Sequence, residues 1–307
     1  MPTVTASRST PSKPPAPTAP AFITTTIEFE NAAYGVYGLV GSGSRLWVEA
    51  DDAGVPRLYR VDAGTGKVLD DLEGSGPEQI GGDLWYAAAN GKDLVRADIV
   101  TGKELGRVTP PHLGAWTKVD EMFWIATESG NKLTRWDSSS GEVVSEIPLP
   151  VGEPKDVVAA GAAIWIAIDG SDVLVRVDPE TDTIATEIEV GTRPHTLAAG
   201  FGSVWVVNHG ERSLARVDLQ TNAVTKIDGV GMNVGIALLD DELLVVTTPT
   251  GIATIDTDAN RVERALEWAR RDYYALAIAN GIWMSDVDKR AVYRIDAGPG
   301  TPGHVDP

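Results

Sequence analysis

Two kinds of apolar pattern alternate along this chain. One is a short run that is apolar at nearly every position, RLWVE, DLWYA, MFWIA, AIWIA, SVWVV, ELLVV and GIWMS, each bounded by Gly, Asp or Asn and a polar loop. The other is a run of mixed polar and apolar residues, KVLDDL, KELGRV, EVVSEI, TIATEI, AVTKI and RVERAL. The first pattern predicts a strand buried on both faces, the second a more polar strand. Trp47, Trp85, Trp124, Trp165, Trp205 and Trp283 mark the first kind, with Leu244 in the one slot lacking tryptophan; successive spacings are 38, 39, 41, 40, 39 and 39 residues. A period near 40 is the signature of a repeated supersecondary unit.

About 13 residues after each tryptophan stands a third run of the form L-x-R-x-D: LYRVD, LVRAD, LTRWD, LVRVD and LARVD, with the variants IATID and VYRID. Four residues beyond its aspartate the chain carries Gly66, Gly102, Gly141, Asp182, Asn222, Asn260 or Gly300. Only Gly, Asn and Asp occur there, the residues that accept positive φ, so each site predicts a hairpin turn ending in a left-handed residue. One repeat is then four antiparallel strands, A to D, with tryptophan on B and Arg-x-Asp on C. Seven copies make an all-β fold, a seven-bladed β-propeller. The chain after Asp296 holds no D strand, whereas residues 23–29 have the D pattern; the expectation is that this N-terminal strand completes the last blade and closes the ring. The domain division follows: a Pro/Thr/Ser-rich disordered arm over 1–21 and the propeller over 22–307.

A residue type present in every blade serves the scaffold, so the tryptophans, the arginines of strand C and the turn aspartates are expected to be structural. Candidates for function are residues that break the repeat on the face carrying the D–A and B–C loops. Ten residues before the tryptophan slot stand Tyr37, Lys155, His195, Val234 and Tyr273, and no two agree. Beside them lie Tyr34, Asn233 and Asp272; at the far ends of the B strands lie Asn208, His209 and Asp286. The densest departure, Trp268, Arg270, Arg271, Asp272, Tyr273 and Tyr274, precedes blade seven and would neighbour Tyr34 and Tyr37 in a ring, an aromatic and arginine-rich sector of the kind found at recognition hot spots. His195 and His209 form a weaker candidate metal pair.

The most regular copy, VGTRPHTLAAGFGSVWVVNHGERSLARVDLQTNAVTKI (190–227), resembles the repeat of the virginiamycin B lyase-like and YVTN-type bacterial propellers, and the resemblance runs over residues 22–296. It implies the propeller fold. For activity it offers one enzyme precedent, a metal-assisted β-elimination that opens a cyclic depsipeptide with histidines of neighbouring blades and acidic metal ligands. His195 in Arg193-Pro194-His195 matches one such histidine. Asn208 stands where the carboxylate is expected and Lys155 where a second histidine is needed, and neither replaces those ligands around a divalent ion.

Composition narrows the partners. Acidic residues outnumber basic ones 44 to 26, a formal charge of −18 that repels phosphate backbones, so nucleic acid is not expected. There is no cysteine, which excludes thiol chemistry and disulfides. No apolar run is long enough to span a bilayer as a helix. Residues 1–20 lack the apolar segment of a signal peptide; such arms often follow a cleaved signal or lipid anchor, which points outside the cytoplasm with the targeting segment absent from this chain, a cytoplasmic location being the alternative. The sequence reading is therefore a monomeric, non-catalytic propeller that binds a small molecule or protein on its D–A/B–C face without a cofactor. The alternative is a lyase or hydrolase centred on His195 with a divalent cation such as Mg or Ca.

Overall fold

The computed structural model describes residues 23–127, 130–230, 235–239, 243–248, 251–267 and 273–296; the arm proposed for 1–21 lies outside them. The described residues form strands and no helix. β1 (Ile23–Glu28) precedes β2 (Val36–Ser42), β3 (Arg45–Asp52), β4 (Val55–Asp62) and a long β5 (Lys67–Ile80). Next come β6 (Asp83–Ala88), β7 (Leu94–Asp98) and β8 (Glu104–Val108), then β9 (Ala115–Val119), β10 (Met122–Thr127), β11 (Lys132–Asp137) and β12 (Glu142–Pro148). They are followed by β13 (Glu153–Ala160), β14 (Ala163–Asp169), β15 (Val173–Asp178) and β16 (Thr183–Glu189), then β17 (Pro194–Gly200), β18 (Ser203–Asn208), β19 (Ser213–Asp218) and β20 (Val224–Ile227). The last are β21 (Ile236–Leu239), β22 (Leu243–Thr248), β23 (Gly251–Asp256) and β24 (Arg261–Glu267), and β25 (Tyr273–Ile278), β26 (Ile282–Asp286) and β27 (Ala291–Ile295).

Consecutive fours make antiparallel sheets, and β5 is long enough to be the outer strand of blade one and the inner strand of blade two, fusing those blades into one sheet of seven strands. β1 pairs with β27, so the N-terminal strand is the outer strand of blade seven. Burial follows radius. B strands are buried along their length, as in β18, while D strands such as β16 leave every second residue exposed. Seven apolar clusters lie between the sheets, one for each neighbouring pair, the last joining Trp283 of blade seven to Leu46 and Val48 of blade one.

The repeated residues hold the A–B/C–D face. Each tryptophan pairs across strands B and C with the arginine of its own blade, as Trp165 does with Arg176, and three of these guanidiniums stack on their indoles at 5.1–5.4 Å. The arginine then reaches the C–D turn of the next blade: Arg60 donates to Val100 O (2.7 Å), Arg135 to Asp182 Oδ1 (2.9 Å), Arg176 to Asn222 Oδ1 (3.2 Å), Arg216 to Asn260 Oδ1 (2.9 Å) and Arg294 to Gly64 O (3.4 Å). Those turns take the expected form, since Asp218 Oδ1 accepts Thr221 N at 2.8 Å and Asn222 sits at φ 60°.

Two junctions depart from the rule. In blade six the residue facing the strand C arginine slot is Val245, opposite Thr254, so the empty tryptophan slot is Val245 rather than Leu244. Trp and Arg are replaced there together, as expected of a stacked pair, and the apolar stretch Leu243–Val246 hid the register from the sequence. Between blades two and three Arg96 turns to Asp83 (2.5 Å) instead of a neighbouring turn, and an aromatic cluster of Trp85, Trp116, Phe123 and Trp136 fills the junction.

Candidate functional site

The opposite face is built from irregularity. Strand A carries a β-bulge at its channel-mouth end in blades one, two, four, five and seven, between Val36 and Gly38, Ser75 and Glu78, Pro154 and Asp156, Pro194 and Leu197, and Tyr273 and Leu276. A bulge adds a residue to one strand and re-aims side chains. The added residues include Tyr37, Lys155 and His195, which explains why the sequence rule of ten residues before tryptophan found them.

A cavity of about 750 Å³ opens on this face over blades three to five. Its walls carry His112 and Leu113 from the loop before β9, Lys132 at the start of β11, Lys155 on β13 and His195 on β17, with Gly114, Ala115, Ala126, Thr127 and Pro154 between them. Gly114 lets the chain pass close to β10, where a Cβ would stand 2.1 Å from Ala126 O. Lys132 pairs with Glu146 and Lys155 with Glu153.

The His195 ring stacks on that of His209, centroids 4.1 Å apart and planes at 13°, and its Nδ1 lies 3.2 Å from Thr196 Oγ1. Burial first, then the charges of His209, Lys155 and Arg193, hold His195 down to about 4 against a partial pull from Asp169, so the imidazole is neutral at physiological pH. Burial also lowers His209 and His112. The Nε2 atoms of His112 and His209 are buried without a hydrogen-bond partner among the described residues.

Two acids that sequence reasoning passed over stand on the inner strands. Asp156 accepts from Val157 N (2.8 Å) and, across the blade boundary, from Leu197 N (2.8 Å), which ties the bulge bearing His195 to blade four. Its carboxyl is pushed up to about 6 by burial against those two bonds. Glu78 on β5 is raised well above the usual carboxylate range, by burial and then by the Asp156 charge. Both keep part of their surface open along the channel although protein surrounds them. Glu78 had a signal: the residues paired with the tryptophan slot from strand A are Val40, Glu78, Thr117, Val158, Ala198, Ala237 and Ala277, and only one is charged.

The other expected site residues divide. His209 joins His195. Asn208 is fully buried, its Nδ2 donating to Val190 O (2.9 Å) and Ser213 Oγ (3.1 Å), so it fastens the loop between blades four and five. Asp286 is 1% exposed, accepting Lys289 N at 2.9 Å and Tyr293 Oη at 3.4 Å. Tyr34 is 69% exposed beside Asp51, which caps the amides of Ala33, Tyr34 and Gly54. Tyr37 is half-buried on its bulge, and β2 packs against β25, so the sectors of blades one and seven adjoin as expected. Asn233, Trp268, Arg270, Arg271 and Asp272 lie outside the described residues, as do the side chains of Tyr273 and Tyr274.

A divalent cation does not fit the histidine pair. Stacked, nearly parallel rings direct their in-plane lone pairs side by side, not towards one point. Asn208 is fully buried and held in the sheet through Nδ2, its Oδ1 being without a hydrogen-bond partner among the described residues, and Asp156 already satisfies two amides. Among the described residues no three His, Cys, Asp or Glu side chains form a metal-binding group, and no helix is long and apolar enough to cross a membrane.

Neither a family model nor a curated protein matches the chain. Solved structures do. A streptogramin B lyase structure superposes with a TM-score of 0.70 at 15% identity over 89% of this chain and 97% of that one. A Neurospora crassa WD40 domain gives 0.68 at 11% over 92% and 95%. The hydrazine synthase of Kuenenia stuttgartiensis gives 0.67 at 13% over 89% and 98%. At these identities the likeness is one of fold: the chain is a β-propeller resembling virginiamycin B lyase.

Proposed function

We propose that this protein is a ligand-binding propeller whose site is the cavity on the D–A/B–C face of blades three to five. The observation that carries the reading is the coincidence of the roughly 750 Å³ cavity with residues that break the repeat, His112, Lys132, Lys155 and His195. A volume of this size suits a small molecule better than a flat protein epitope, and few convergent polar groups among small apolar walls are the usual make-up of such sites. The exposed Tyr34 sector of blades one and seven is the place for a protein partner. The chain acts as a monomer outside the cytoplasm in this reading, consistent with the acidic surface and the composition of residues 1–20.

A second reading is favoured by one observation, the neutral His195 imidazole close enough to Lys155 to feel its charge. A neutral imidazole can take a proton while an ammonium steadies the negative charge that develops, which is acid–base chemistry of the lyase or hydrolase kind without a step through a metal.

Native mass spectrometry of gently purified protein tests the first reading. A retained small molecule that disappears in His195→Gln and Lys155→Gln, with unchanged melting, is the expected result. A retained molecule unaffected by either substitution would move the site elsewhere. Turnover of a streptogramin B ring that is lost in His195→Gln would give the second reading precedence.

A further inference from the structure

We infer that the ligand of this cavity carries an oxyanion, a carboxylate or a phosphate, which meets the imidazoles of His112 and His195 and the ammonium groups of Lys132 and Lys155. This rests on the cavity being the binding site and adds the chemistry it selects. The first ground is composition. Acids outnumber bases 44 to 26 in this chain, yet among the described residues the charged and titratable groups lining the cavity are two lysines and two histidines. The lysines already show their preference, since each holds a carboxylate, Glu146 and Glu153. A ligand oxyanion on the inner side would meet the same cations in a setting more sheltered from water, where the attraction is stronger.

The second ground is an unmet hydrogen bond. His112 lines the cavity and its Nε2 is buried with no hydrogen-bond partner among the described residues. A buried nitrogen without a partner is unfavourable unless something outside the protein completes it. As N–H it donates to an oxyanion, and Lys132 beside it makes donation to an anion the favourable choice.

Charge coupling follows from the same geometry. His195 feels His209, Lys155 and Arg193, which disfavour its protonation, and Asp169, which favours it; His112 feels Lys132 against and Glu146 for. An anion placed among them reverses the balance, because it offsets the lysines and favours imidazolium. Binding therefore draws a proton onto one or both rings, and affinity rises as pH falls.

The chain has four histidines, His112, His195, His209 and His304, so their ring signals can be assigned in nuclear magnetic resonance spectra of the full chain with His112→Gln and His195→Gln. Each ring is titrated with pH in sodium phosphate, sodium succinate and sodium chloride at equal ionic strength. The expected result is a saturable shift of the His112 and His195 signals at millimolar phosphate or succinate. The apparent pKa of at least one ring should rise by about one unit over chloride, the linkage of a roughly tenfold affinity gain. Lys132→Gln with Lys155→Gln should abolish it. Response to phosphate alone assigns a phosphorylated ligand, and response to succinate alone a carboxylate. Superimposable titrations in the three salts, or equal shifts of His304, would overturn the inference. A neutral molecule retained in native mass spectra would do so too while leaving the cavity as the binding site.

Discussion

The two faces of this ring obey opposite rules. On the A–B/C–D face the arginine paired with the blade's tryptophan grips the next blade's turn in junction after junction, at a turn side chain in three and a carbonyl in another. On the D–A/B–C face the corresponding positions carry Tyr37, Lys155 and His195, each lifted by a bulge, and they share nothing but location. One face is fixed by the need to repeat, because any blade must fit any neighbour. The other is released from that need, and the chain's histidine–lysine cavity lies there.

The contrast can be broken from the repeated side first. Trp165 is fully buried between blades four and five, and its Nε1 donates to Ala160 O at 2.9 Å. Trp165→Ala should cost about 3–5 kcal/mol in denaturant unfolding, as large cavities in cores do. Arg216→Ala comes next. It removes bonds to Ser203, Phe201, Thr257 and Asn260 together with the stack on Trp205, and should cost about 2–3 kcal/mol. Arg96→Ala, whose guanidinium is half exposed and holds only an ion pair with Asp83, should cost less than about 1 kcal/mol in the same assay. Equal losses for the two arginines would mean that the straps contribute nothing special.

Acidification sharpens the comparison from the other face. His195 falls from an ordinary 6.5 to about 4, so the folded protein binds fewer protons than the unfolded chain in that window, and stability is lost as pH drops through it. Asp156 rises from an ordinary 3.8 to about 6, so the folded protein binds more, and stability is gained as pH drops from 6 towards 4. The neighbouring groups oppose each other. His195→Gln should therefore gain stability on acidification relative to Asp156→Asn, by about 4 kcal/mol between pH 6 and 4, roughly half from each group. Parallel pH–stability curves for the two variants would remove the opposition. The smallest effect on the fold is expected at the rim: Lys155→Gln should change stability by less than ~0.5 kcal/mol, while weakening oxyanion binding by about tenfold, read by calorimetry.

The division also explains what was legible in the sequence. Fold, strand order and turn chemistry were written seven times over, so a single degenerate copy, blade six, misled only the register at Leu244 and Val245. The candidate site was legible where it fell on the bulge residues Lys155 and His195. Asn208 and Asp286 share the end of strand B with the site, yet a strand end can point into the sheet, and theirs bond within it. His112, Lys132, Glu78 and Asp156 were missed for two reasons. A loop or early strand C residue has no fixed offset from the tryptophan, and a bulge of one residue or two decides which inner-strand side chain faces the channel.

The pairing of β1 with β27 has a consequence in time. Thr24 bonds Arg294 across 270 positions of chain, so β1 leaves the ribosome well ahead of the strand it pairs with. At a synthesis rate of about 5–20 residues per second the interval is roughly 13–50 s, far longer than a hairpin needs to form. Throughout that interval six blades can assemble from local pairings while Ile23–Glu28 waits without its sheet. During biosynthesis the ring is therefore an open arc with two unguarded ends, and its window of exposure to mispairing is set by translation speed rather than by the strength of any contact in the finished molecule.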